Sequence, residues 1–201
     1  MLRSADRVIS ANDESFMVWK TGRYYRVPVL HVVEFDGNNR IRRFINIHDT
    51  PTAEQAFSGA DTGLVAIMPK DEPKAPPRRL TEEAAMELAN GIVSVIFGDC
   101  AATALQRFPH LCLYVPGLPS VAAISGVWTG PGLSTNYPAQ AERFRKKYGI
   151  AVTQVLIDDV TVSEGKLAIE GRLRDQRWAI VGSIHEVGLG ATALFIDFPA
   201  L

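Results

Sequence analysis

No apolar run in this 201-residue chain approaches the roughly 18 residues that a bilayer-spanning helix needs. The N-terminal stretch MLRSADRVIS has no apolar core of the kind a secretory signal carries, so a cytoplasmic setting is expected. Cysteine is scarce. Cys100 and Cys112 are the two present, both in apolar stretches, with no CxxC and no His–Cys cluster. Two reduced, buried thiols are expected, not a disulfide framework or a metal site. An excess of one charge is also missing: 21 Lys and Arg stand against 22 Asp and Glu, interspersed along the chain. Nucleic-acid binding needs a concentrated positive face, so it is not expected. GxGxxG, P-loop, GxSxG and HExxH motifs are all absent. Neither a cofactor nor a catalytic metal is therefore expected.

What is present is ordinary globular material, 47% hydrophobic and 21% charged. Residues 5–57 read as strands. Val27, Val29, His31, Val33 and Phe35 alternate with Pro28, Leu30, Val32 and Glu34, and Asp36-Gly37-Asn38-Asn39 is a hairpin turn signal. A return strand is expected from Ile41 to Asp49, and an earlier one from Ser15 to Arg23. The stretch PKDEPKAPPRR at 69–79, rich in proline and charge, reads as a linker. Residues 1–60, 61–80 and 81–201 are thus a strand-only unit, a connection and a second unit.

The second unit begins with a helix. Thr81 is a suitable N-cap, Glu82 and Glu83 suit the positive helix start, and Ala85, Leu88, Ala89, Ile92, Val93 and Ile96 keep the 3.6 spacing up to Gly98. Asp99 caps a short helix, Ala101 to Arg107. A strand at Leu111–Val115, a turn at Pro116-Gly117 and a helix at Ala139–Lys147, stopped by Gly149, come next. Strands are expected at 150–161, 166–174, 177–187 and 191–198. Strands, linker, three helices and strands give an α+β protein with an antiparallel, hairpin-built sheet and helices on one face.

The two strand blocks resemble each other. DRVISANDESFMVWKTG at 6–22 parallels DDVTVSEGKLAIEGRLR at 158–174, each read as strand, polar turn and strand. VPVLHVVEFDG matches AIVGSIHEVG, and RRFINIHDTPT matches TALFIDFPAL. Residues 1–60 then read as the back half of a unit whose helices are missing. Its apolar sheet face must be covered by the second unit, by another subunit or by residues outside the chain. A homodimer is expected.

Residues 81–201 carry Phe97-Gly98-Asp99 at a helix end, Tyr114-Val115-Pro116-Gly117 at a strand end, then Ser125-Gly126-Val127-Trp128-Thr129-Gly130, a helix and a long meander. HVVEFDGNNRIRRF in the front block is similar to a hairpin of the same group. This arrangement resembles the SnoaL-like, ketosteroid-isomerase-like family of the nuclear-transport-factor-two-like superfamily. The resemblance implies a curved antiparallel sheet and three helices enclosing a cone, with a pocket for a small apolar molecule. It also implies where chemistry would sit. The steroid-isomerase tyrosine falls on Gly91, the base on Val115 and the late-strand acid on His31 of the front block, so steroid isomerisation is not expected. A cyclase-type acid/base falls on Asp197, with His185 on the same sheet face. Asp49 and His31 are the second-copy counterparts.

If Val187 pairs with Ala191, Ser183, Phe195 and Asp197 share that face and line the pocket, with Trp128 and Tyr114 at its rim. The bland alternatives are turn-capping aspartates, a wall histidine and core aromatics. Asp158-Asp159 is not expected to chelate, because adjacent strand residues face opposite sides. Arg143, Arg145, Lys146 and Lys147 read as a solvated helix face. The function that follows is a small-molecule pocket protein, with a cofactor-free cyclase, isomerase or dehydratase activity open. The alternative is a non-catalytic ligand-binding, dimerisation or interaction module.

Overall fold

The structure, a computed structural model, describes residues 1–19, 22–48, 54, 57–58, 79–98, 108, 111–116, 122–163, 165–185 and 188–196. Of residues 16, 23, 25, 26, 131, 185 and 188–191 it describes the backbone alone. The N-terminal strands β1 (Leu2–Arg3), β2 (Arg7–Val18), β3 (Arg23–Phe35) and β4 (Ile41–His48) form an antiparallel sheet in that order. The turn at Asp36 forms as its residues dictate. The Asp36 carboxylate accepts the backbone N–H groups of Asn38 and Arg40, both at 2.9 Å, and Asn39 takes the left-handed conformation.

The earlier strand differs from expectation. It runs through Asn12-Asp13-Glu14-Ser15 without turning, and the chain reverses at Gly22, whose φ is 67°. The matching place in the second block does turn, at Gly165. Asn12–Ser15 holds no glycine, and the polar signal alone does not bend it. The two blocks therefore fold alike only in their later hairpins.

Helix α1 (Glu82–Phe97) starts at Thr81, whose Oγ1 accepts the Ala84 N–H at 3.3 Å, and it ends at Gly98. Its buried face is Ala85, Ala89, Ile92, Val93, Val95, Ile96 and Phe97, with Leu88 packed at the margin. The helix expected at 101–107 and the residues Cys100, Asp99 and Gly117 lie outside the described residues. Strands β5 (Cys112–Val115) and β6 (Gly126–Trp128) form a hairpin. Two consecutive helices, α2 (Gly130–Thr135) and α3 (Tyr137–Tyr148), stand where one was expected. Gly149, left-handed at φ 62°, ends α3. Arg145 is not simply solvated: its guanidinium donates to the Phe97 carbonyl at 2.9 Å and to that of Gly98, tying α3 to the end of α1.

A single 3₁₀ turn, Val152–Gln154, takes up the start of the strand expected from 150. The meander β7 (Val155–Ser163), β8 (Lys166–Leu173), β9 (Gln176–His185) and β10 (Gly188–Ile196) follows. The second sheet has the order β6-β5-β10-β9-β8-β7. Its neighbours are antiparallel except for β10 and β5, which run parallel.

Alternation gives this sheet two apolar faces. Leu113, Leu167, Ile169, Trp178, Ile180 and Leu194 pack against α1, α3 and their neighbours. Tyr114, Ala168, Ala179, Ala193 and Phe195 pack against Leu2, Ile9, Leu30, Val32, Ile45 and Ile47 of the N-terminal sheet. The molecule is thus three layers: helices, six strands, four strands. The apolar face of the front block is covered by the second unit of the same chain. Each fully buried Ile, Leu or Phe in that contact contributes about 1.5–3 kcal/mol of transfer free energy.

Candidate functional site

The expected site residues that are described separate onto different faces. The register places Ala179 opposite Phe195, Val181 opposite Ala193 and His185 opposite Gly188. The expected pairing of Val187 with Ala191 lies outside the described residues, because Val187 does; the described register has a bulge between Leu189 and Thr192. Ser183 does share a face with Phe195, as expected, but that face looks at the N-terminal sheet and not at the helices. Phe195 and Tyr114 are fully buried there, at 2% and 1% exposure. Trp128 sits on the helix side. Its Nε1–H donates to the Ile124 carbonyl at 2.8 Å and its ring meets Tyr137 edge-on at 5.4 Å. Trp128 and Tyr114 therefore do not form one rim.

His31 lies on the outward face of β3, opposite to Leu30 and Val32. Its Nε2 is 3.3 Å from Glu14 Oε1, and its ring is 5.1 Å from that of Phe44. Asp49 and Asp197 lie outside the described residues, as does the side chain of His185.

What the structure does bring together is a set of charged groups at one end of the contact between the sheets. Two bulges create it. In β4, the pairing Glu34 with Arg43 is followed by Phe35 with Ile41, so Arg42 is an extra residue. In β7, Ile157 pairs with Gly171 and Asp159 with Glu170, so Asp158 is an extra residue. A bulge breaks strict alternation and re-aims side chains. Asp158 and Asp159 consequently line the same cleft, against the expectation from a regular strand. The cleft has a volume of about 380 Å³, with Ile45 and Ile47 on its apolar wall.

Arg7 is the hub. One of its Nη atoms reaches Glu34 Oε1 at 2.9 Å; the other reaches Glu170 Oε1 at 3.1 Å and the Asp159 carboxylate. Asp159 and Glu170 are direct cross-strand neighbours, and Arg7 bridges that like-charged pair and relieves part of its repulsion. Glu34, 5% exposed in its side chain, also takes Arg42 at 3.1 Å and Arg43 at 3.3 Å. Its burial opposes ionisation, but the hydrogen bonds from Arg42 and Arg7 and the charge of Arg43 outweigh it and hold the carboxyl below its ordinary value. Glu170 goes the other way. Burial pushes its carboxyl up, Arg7 opposes this only in part, and Glu34 adds to it.

Among the described residues no group of three or more His, Cys, Asp and Glu is placed to hold a metal ion, and no helix is long and apolar enough to cross a membrane. What the cleft offers chemically is hydrogen-bonded charge beside an apolar wall. Sequence reasoning missed it. The available signal was two like-charged neighbours, Arg42-Arg43 and Asp158-Asp159, inside otherwise alternating strands. No protein-family model matches the chain, and no curated protein matches it.

Proposed function

We propose that this protein is a non-catalytic binder of a small molecule, built on a SnoaL-like scaffold, with the ligand in the cleft between the two sheets. The carrying observation is that cleft. It has the volume of a small-molecule site, one apolar wall, and a rim of charged groups aimed by two separate bulges. The SnoaL-like part of the reading is supported by helices on one face of the six-stranded sheet, the β5–β6 hairpin between them, and the four-strand meander that closes the chain. Of the three covers open to the apolar face of the N-terminal sheet, the six-stranded sheet of the same chain is the one that packs on it. That argument for a homodimer thus loses its basis.

A thermal-shift screen with polyketide-like, terpenoid and other small amphipathic molecules tests the reading. At least one class is expected to raise the melting temperature and to shift amide resonances of β4, β7 and β8. Stabilisation by no compound contradicts it.

One observation favours a second reading, a cofactor-free cyclase, isomerase or lyase: burial raises the Glu170 carboxyl in a cleft, as suits an acid/base group. Mass spectrometry of any stabilising compound after incubation separates the two. Chemical change that disappears in Glu170→Gln supports catalysis; an unchanged compound supports binding.

A further inference from the structure

Resting on the binding reading above, we infer that the cleft takes up a proton as it fills: an uncharged amphiphile binds together with one proton from solvent, which settles on Glu170. The geometry of the carboxylates carries this. Asp159 and Glu170 are cross-strand neighbours, and both bond the same nitrogen of Arg7, Nη1. Their oxygens therefore lie within about 6 Å of each other, two hydrogen-bond lengths. The other Arg7 nitrogen, Nη2, goes to Glu34, so one guanidinium serves three carboxylates. Arg42 and Arg43 help to balance Glu34. Two carboxylates on one guanidinium nitrogen leave negative charge in excess, and a proton on one of them removes it.

Exposure decides which one. The Asp159 side chain is 43% exposed and that of Glu170 15%. Burial already pushes the Glu170 carboxyl up, and the charge of Glu34 adds to this. Among the described residues, the charged groups around Glu170 come from every strand beside it. They are Arg7 on β2, Glu34 on β3, Arg43 on β4, Asp158 and Asp159 on β7, Arg172 on β8 and Arg177 on β9. Arg7 and Arg43 oppose the proton, while Asp159 and Glu34 favour it. Asp158 and Arg172 balance each other at 2.8 Å.

The cleft supplies the coupling. Ala168, on the same face of β8, and Ala179, directly opposite on β9, flank Glu170. Both pack in one cluster with Ile45 and Ile47, the apolar wall of the cleft. An apolar body laid on that wall takes away the water that Glu170 still meets. Losing that water costs the charged carboxylate more than the neutral acid. Filling the cleft thus raises the proton affinity of Glu170 further, and by reciprocity acidification tightens binding.

Calorimetric titration with octanol between pH 5 and 8 tests this. Affinity is expected to rise as pH falls, by at most about tenfold per pH unit, the limit for one proton. Titrations in phosphate and in Tris, whose heats of ionisation differ, are expected to show net proton uptake on binding. Glu170→Gln is neutral at every pH. It is expected to bind octanol without pH dependence, and at pH 8 more tightly than wild type. Asp159→Asn removes the like charge beside Glu170, so its uptake is expected to move to lower pH. Octylammonium brings its own positive charge and is expected to weaken on acidification.

Octanol affinity that is flat from pH 5 to 8 overturns the inference, as does a pH dependence that survives in Glu170→Gln. Proton release in place of uptake, or uptake unmoved in Asp159→Asn, also overturns it. Should Glu170→Gln not fold, the Asp159→Asn shift decides. If octanol fails while other compounds in the screen bind, the inference falls and the binding reading stands. If nothing binds, both fall.

Discussion

Replacing Arg7 by methionine keeps most of the side-chain volume and removes the charge that joins the two sheets. Glu34 and Glu170, 5% and 15% exposed in their side chains, lose a direct partner. Breaking one side of a buried pair costs about 3–5 kcal/mol. Two features reduce that here: Glu34 keeps Arg42 and Arg43, and Asp159 is 43% exposed and screened by water. The expected loss at pH 7 is therefore about 2–3 kcal/mol.

The pH dependence follows from the two carboxyls. Glu170 has a folded-state pKa raised above its ordinary value, and Arg7 is what restrains it. Without Arg7 it rises further. A raised acid favours the folded state where it is protonated and disfavours it as pH climbs through the folded value. The deficit of Arg7→Met should accordingly narrow as pH falls from 7 towards 5. Glu34 is lowered, so its contribution is present above the ordinary carboxylate range and is lost only in more acid solution, where both proteins should weaken. Urea unfolding followed by circular dichroism between pH 4 and 8 measures this. A loss under about 0.5 kcal/mol at pH 7, the scatter of an ordinary surface change, would refute the reasoning. So would a deficit that widens from pH 7 to 5.

Three further variants probe the layers. Phe195→Ala opens a hole between the sheets and is expected to cost about 3–5 kcal/mol in urea unfolding. Gly171→Ala places a Cβ 2.2 Å from both the Leu156 carbonyl oxygen and Trp178 Cζ2, and should cost about 1–3 kcal/mol or more; Gly37→Ala, with nothing within 4 Å, is the control expected to be silent. Thr81→Ala removes the cap of α1 and should cost about 1 kcal/mol, read as faster amide exchange in the first turn.

Local chemistry made part of this legible in the sequence. The Asp36 turn, the Thr81 cap, the stripe on α1 and the Gly149 stop each rest on a few adjacent residues, and each was expected in its place. Alternation correctly put Ser183 and Phe195 on one face. It could not say which layer that face would meet, because both faces of β8 and β9 are apolar and choosing between helices and a second sheet is a long-range matter. The cleft was hidden for a related reason. Alternation assigns Asp158 and Asp159 to opposite sides, and only the pairing with β8 reveals that Asp158 is the extra residue. Arg7, 152 residues from Asp159, carries no sign in its own neighbourhood of the network it anchors.

The N-terminal sheet covering the six-stranded sheet of its own chain is tested most directly by nuclear Overhauser contacts. Methyl groups of Leu30, Val32, Ile45 and Ile47 would be observed against Phe195, Ala179 and Ala193, in a uniformly labelled sample and in an equal mixture of labelled and unlabelled chains with isotope filtering. Contacts within one chain, and none between labelled and unlabelled chains, are expected. Their absence, or their appearance only across chains, would contradict the three-layer arrangement and the cleft that depends on it.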